Sequence, residues 1–164
     1  MKHRPTAGLT LLELAIVMAV MAVLAALALP SLGAQLAHKR LQSAAQALAD
    51  DITNARFEAA GRGQALQLEF EAGAAWCWAV TATPGCACGQ AQACQLQRVR
   101  SVDHAQVRLL QARALRLDPA GTAPGGEVAL LESARGERLR VEVSPLGRPR
   151  VCAVAGVWPA LPAC

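Results

Sequence analysis

The sequence predicts an α+β fold: one long N-terminal helix whose C-terminal half packs on antiparallel β-strands. Three observations carry this reading. Every residue from Leu14 to Leu29 is apolar, apolar residues then recur every three to five positions as far as Ala59, and from Gln64 onward the pattern becomes alternation broken by frequent turn residues. The 164 residues allow one modest domain plus one extra element, and 54% apolar with 17% charged residues excludes a disordered chain. The formal charge is +4, of which Lys2 and Arg4 supply two, so a chain beginning at Leu9 is nearer +2. That balance is too weak by itself to imply a nucleic-acid partner.

The first segment, residues 1–8, is basic and without acids. Leu9–Leu12 and Leu14–Leu29 then make an apolar stretch about long enough to span a bilayer. Lys2 and Arg4 would hold its start in the cytoplasm and leave the remainder outside. Glu13 interrupts the stretch. A lone carboxylate in hydrocarbon costs several kcal/mol, so an intramembrane acid is expected to have a partner and a task. If the chain is cut after Gly8, the new amine is on Leu9 and Glu13 becomes the fifth residue. Its carboxylate would there neutralise the amine of a neighbouring subunit as the two helices pack. The alternative is an ordinary secretory signal peptide with Ala26-Leu27-Ala28 as its small-x-small cleavage site, which leaves Glu13 unexplained.

Gly8-Leu9-Thr10-Leu11-Leu12-Glu13-Leu14 resembles the prepilin processing motif GFTLxEL, with Leu9 in place of the usual Phe. Pro30 falls at position 22 of the cut chain, where type IV pilins commonly carry proline. The resemblance implies a pilin-like fold, cleavage between Gly8 and Leu9 by a prepilin peptidase, and N-methylation of Leu9. It also implies one pass through the inner membrane with a periplasmic C-terminal domain, and assembly with other pilins or pseudopilins through Glu13 and Pro30. On this reading residues 1–8 are the leader, 9–30 the transmembrane or filament-core helix, 31–63 the soluble half of the helix, and 64–164 a β-rich periplasmic domain.

In the soluble half, Leu36, Leu41, Ala45, Leu48, Ile52, Ala55 and Ala59 form an apolar stripe that needs a sheet to cover it. Pro30 and Gly33 are where the helix would kink or locally melt, and Gly61 and Gly63 are stop signals. Strands are expected at Leu66–Phe70, Trp76–Val80, Val107–Leu110, Ala114–Leu117, Glu127–Leu131, Arg138–Val143 and Arg150–Val154. The cysteine- and glutamine-rich stretch from Ala82 to Arg98 reads as a disulfide-stapled loop with a short helix near Gln90–Gln97.

The six cysteines, Cys77, Cys86, Cys88, Cys94, Cys152 and Cys164, point to an oxidising compartment and disulfides. A disulfide within Cys86, Cys88 and Cys94 suits their spacing better than zinc, which needs a fourth ligand where only His104 is near. Many pilins close a C-terminal loop, and the resemblance therefore implies Cys152–Cys164; we expect Cys77 to pair into the 86–94 loop. No metal and no cofactor is expected. An enzyme is not expected either, because His38 and His104 have no nucleophile placed by motif and Asp50-Asp51 reads as a solvated helix face.

Near the C-terminus, Gly147-Arg148-Pro149-Arg150 matches GRxR. Together with Ala55-Arg56, Glu58-Ala59, the Gly61–Gln64 segment and the Trp76/Trp78 strand, it resembles the H-type minor pseudopilins of type II secretion and the FimT-like minor pilins. In the FimT-like proteins GRxR is linked to DNA binding during natural transformation, which names Gly147, Arg148 and Arg150 here and DNA as the partner. Two arginines two apart share a strand face, and guanidinium groups grip phosphate through forked hydrogen bonds. Arg135, Arg138 and Arg140 would widen the patch, but Glu132, Glu137 and Glu142 are interleaved and blunt the field. Arg148 and Arg150 as a solvated strand end, or paired with those glutamates, is the competing reading. The leading expectation is a structural subunit of a secretion pseudopilus or type IV pilus, and DNA capture is the alternative.

Overall fold

The computed structural model describes residues 10–164, the side chains of residues 27–31 excepted. Gly8 and Leu9 lie outside the described residues, and so does the side chain of Pro30. The chain divides into two compact units, one ending at Leu36 and the other spanning Ala37–Cys164. Helix α1 (Leu11–Arg62) contributes to both, and Gly33 does not interrupt it.

In the first unit, α1 opens with a cap that the sequence reading did not anticipate. Thr10 Oγ1 accepts a hydrogen bond from the Glu13 backbone amide at 3.2 Å, which satisfies one of the orphan donors of the first turn. Thr10-x-x-Glu13 is therefore the spacing of a capping box. Beyond it the helix is apolar on every face, with Leu11, Leu12, Leu14, Ile16, Val17, Met18, Val20, Met21, Val23 and Leu24 all exposed. Among the described residues no helix is long and apolar enough to cross a membrane. The apolar run read from the sequence continues to Leu29, through positions whose side chains are not described.

In the second unit, Ala37, Leu41, Ala44, Ala45, Leu48, Ile52, Ala55 and Ala59 are buried at helical spacing. The stripe begins at Ala37 rather than at Leu36, which is 55% exposed. Five of these eight residues are alanine, so strands approach the helix axis closely while Leu41, Leu48 and Ile52 fill the gaps between them. Gly63 ends α1: its amide bonds to Ala60 O and the Gln64 amide reaches back to Ala59 O, the paired bonds of a Schellman cap.

Two four-stranded antiparallel sheets complete the unit, where one sheet was expected. The first has the order β3-β2-β1-β5, from β1 (Leu66–Glu71), β2 (Cys77–Thr81), β3 (Gln95–Arg100) and β5 (Leu115–Leu117). The second has the order β4-β6-β7-β8, from β4 (Val107–Ala112), β6 (Gly126–Ser133), β7 (Arg138–Val143) and β8 (Pro149–Ala155). The inward residues of both sheets and the α1 stripe form one core. The expected helix near Gln90–Gln97 is absent, and β3 lies there instead, paired to β2 with a register shift at Val80/Thr81. Leu96 and Val99 are three apart, which imitates a helix face. As an edge strand, β3 needs only one partner and carries glutamine and arginine between them, so its period-2 signal is faint.

Strand β2 is buried along its whole length. Trp78 and Val80 join the core with α1, while Cys77 and Ala79 make a second small cluster with Cys88 on the opposite face. The loop after β2 therefore acts as a lid on the outer face of the first sheet.

Candidate functional site

Gly147 and Arg148 of the GRxR motif sit on the turn between β7 and β8, and Pro149 and Arg150 open β8. Ser144 O accepts from the Gly147 amide at 2.8 Å, Ser144 Oγ accepts from the Arg148 amide at 3.2 Å, and the Ser144 amide donates to Arg148 O at 3.0 Å. Gly147 has φ of +68°, and a Cβ built on it would lie 2.3 Å from the carbonyl oxygen of Gly121 and 3.1 Å from Arg56 Cδ. Glycine is thus demanded by close approach as well as by φ. Arg148 precedes β8 instead of lying on it, yet both arginines are exposed and line one groove of about 520 Å³ with Gly126, Glu142, Ser144 and Leu146.

The neighbouring arginines do not widen this groove into a basic field. Arg150 pairs with Glu142 at 2.7 Å, and Arg138 pairs with Glu132 at 2.9 Å, with Arg108 closing on the same carboxylate. Arg140 Nε stands 2.9 Å from Glu127 Oε2, off the direction of its N–H, so that contact is ionic without a hydrogen bond. These pairs lace β4, β6, β7 and β8 together across the second sheet. The hydrogen bond from Arg138, opposed by burial and helped by Arg108, holds the Glu132 carboxyl below the usual carboxylate range. Arg148 differs: among the described residues its guanidinium meets no carboxylate.

The cysteines form three disulfides, Cys77–Cys88, Cys86–Cys94 and Cys152–Cys164, with Cα separations of 5.8, 6.3 and 4.9 Å. The first two staple the lid over β2, and Glu69 and Glu71 tie it to β1 by accepting the Gly85 and Gly89 amides. The third closes the C-terminal tail, whose Pro162 and Cys164 bond to Ala153 along the outer edge of β8. Covering that edge protects a strand that would otherwise offer unpaired backbone groups. Glu71 lies near the first of these sulfur pairs and Glu142 near the third, but sulfurs bonded to each other present no thiolate to a metal.

Two aromatic clusters tie α1 to the sheets. Trp76 stacks on Trp78 at 5.2 Å and donates Nε1–H to Val107 O at 2.7 Å. Trp78 donates Nε1–H to Asp51 Oδ2 at 2.8 Å. Burial raises the Asp51 carboxyl against the lowering effect of that bond, and burial depresses His104 beside it. Asp51 is therefore a structural anchor and not the solvated residue expected. His38 stacks on Trp158 at 3.7 Å, and its Nδ1 lies 3.1 Å from Glu137 Oε1, which clamps the tail to the helix. No signal in the sequence linked His38 to Trp158, because they are joined only through the disulfide-closed tail.

Comparison with known families agrees with both the fold and the N-terminal segment. Residues 44–147 match the model of the type II transport protein GspH family, which is well over half of the chain. The chain belongs to the GspH family. Residues 3–29 match the prokaryotic N-terminal methylation motif, which spans Gly8, Leu9 and Glu13. A GspH-family region behind a methylation motif makes this a pilin-like subunit of the minor pseudopilin type. The GspH match runs from within the α1 stripe through the first sheet and β4, β6 and β7 of the second to Gly147, so Arg148, Arg150 and the rest of β8 lie just beyond it. No curated protein and no solved structure matches the chain.

Proposed function

We propose that the chain is a minor pseudopilin or minor pilin made as a precursor. A prepilin peptidase cuts it between Gly8 and Leu9 and methylates the new amine. The N-terminal helix then holds the subunit in the inner membrane with Ala37–Cys164 in the periplasm. From there it joins a type II secretion pseudopilus or a type IV pilus. One observation carries this reading: Glu13 is the lone acid in the Leu11–Leu24 segment of α1, which is apolar on every face, a surface that water does not tolerate and that lipid or neighbouring helices would cover. Three disulfides suit the same oxidising side of the membrane. Co-expression with a prepilin peptidase tests it by intact-mass measurement. The expected product begins at methylated Leu9 and stays in the membrane fraction; a product cut after Ala28 means a secretory signal peptide instead.

A second reading, DNA capture, is supported by one feature: among the described residues Arg148 has no acidic partner, and it stands with Arg150 in a single groove. Its affinity would be modest and salt-sensitive, because most nearby arginines are already paired. For the full chain in detergent, the Arg148→Ala/Arg150→Ala variant should lower the slope of log affinity against log salt for duplex DNA by about 2, since each phosphate contact is worth about 0.9. An unchanged slope removes this reading.

A further inference from the structure

We propose that Arg56 of α1 is the positioning residue of the Arg148 groove. The inference rests on the DNA-capture reading and adds to it a residue that lies outside the GRxR motif and contacts no part of the groove. Arg56 Nε donates to Gly121 O at 3.1 Å, in the turn between β5 and β6. That same carbonyl oxygen is the atom against which Gly147 is pressed, and the Arg56 stem closes on Gly147 from the side of α1. One side chain thus fixes two turns that are distant in sequence: it holds the Gly121 carbonyl in place, and the carbonyl and stem together form the surface on which Gly147 rests.

The consequence falls on Arg148. Its backbone is bounded on one side by the seated Gly147 and on the other by Pro149, whose ring restricts the preceding residue to extended conformations. Its amide and carbonyl are both held by Ser144. The guanidinium then reaches the groove through side-chain rotation alone. A cation presented from a fixed backbone loses less conformational freedom on binding than one on a loose turn. Without Arg56 the Gly121 carbonyl has no anchor on α1, Gly147 loses its seat, and Arg148 is presented from a mobile turn. Arg56 itself is half-buried, its guanidinium held beside the Phe57 ring with Cζ 5.7 Å from the centroid, so it is not a free contact for a polyanion.

Two measurements on the full chain in detergent test this. The first is a cycle of Arg56→Ala, Arg148→Ala and the double variant, read by duplex-DNA binding near physiological salt. Arg148→Ala should weaken binding about fivefold, the size expected for one phosphate contact. Arg56→Ala should weaken it by a similar factor, the double variant should be no weaker than Arg148→Ala alone, and Arg56→Lys should keep most of the affinity by retaining a stem and a donor. Coupled residues fail to add in this way, whereas independent ones multiply their losses. Fully multiplying losses overturn the proposal. The second measurement needs no DNA: amide exchange at Gly147 and Arg148 should be at least tenfold faster in Arg56→Ala, and rates within twofold of wild type overturn it. Should Arg148→Ala/Arg150→Ala bind DNA like the wild type, the DNA reading falls and the proposal with it. Coupling that is absent while that variant does lose affinity removes Arg56 alone.

Discussion

Glu13→Gln and Glu13→Ala should both be missing from assembled filaments, at less than about one tenth of the wild-type level in sheared fractions, while accumulating normally in the membrane. The two variants separate the roles that Glu13 can have. It sits three residues after the Thr10 cap, so one role is local: an acid or amide at this position completes a capping box. Glutamine preserves that function. The other role is electrostatic, neutralising the Leu9 amine of a neighbouring subunit in an apolar surrounding, and glutamine cannot supply the charge. Loss with both variants assigns Glu13 to assembly. Normal incorporation of Glu13→Gln assigns it to the helix start and sinks the assembly role. The expectation follows from cost, since an ionised carboxylate among apolar helix faces is several kcal/mol unfavourable without a partner, whereas a cap is worth about 1 kcal/mol and other residues supply it more cheaply.

The second large effect is on stability. Gly147→Ala should destabilise the fold by about 3 kcal/mol or more, of which the left-handed conformation accounts for about 1–2 kcal/mol. The remainder comes from a methyl group placed 2.3 Å from the Gly121 carbonyl oxygen, a backbone atom that cannot rotate away. For a chain of this size that corresponds to a fall in melting temperature of about 6–12 °C. Gly136 is the control: it too has positive φ, +81°, but a Cβ there meets nothing within 4 Å. Gly136→Ala should therefore show only the conformational part. Equal melting temperatures for the two variants would mean that the turns at Gly121 and Gly147 separate easily, and would weaken the case for Arg56 as well.

Features that depend on local pattern are legible in the order of the amino acids. The apolar run with Glu13, the helical stripe from Leu41 to Ala59, the Gly63 stop and most strands are all properties of residues close together in the chain, where a period of 3.6 or 2 decides which face is buried. The oxidising compartment follows in the same way from six cysteines outside the apolar run. Other features depended on which segments meet, and no local period encodes that. Strand β3 was hidden because an edge strand is held by backbone pairing to β2 and has little need of alternating apolar side chains. Asp51 looked like a solvated helix residue until the first sheet brought the Trp78 indole to it. The sequence left open whether the arginines near the C-terminus spread positive charge or pair with the interleaved glutamates; antiparallel register decides it, setting Arg150 beside Glu142 and Arg138 beside Glu132, which leaves Arg148, among the described residues, without a carboxylate partner. Gly147 read as a residue that frees a turn. Folding puts a carbonyl from 26 positions earlier and an arginine from α1 against it, so what the sequence marked as freedom the tertiary structure uses as a point of contact.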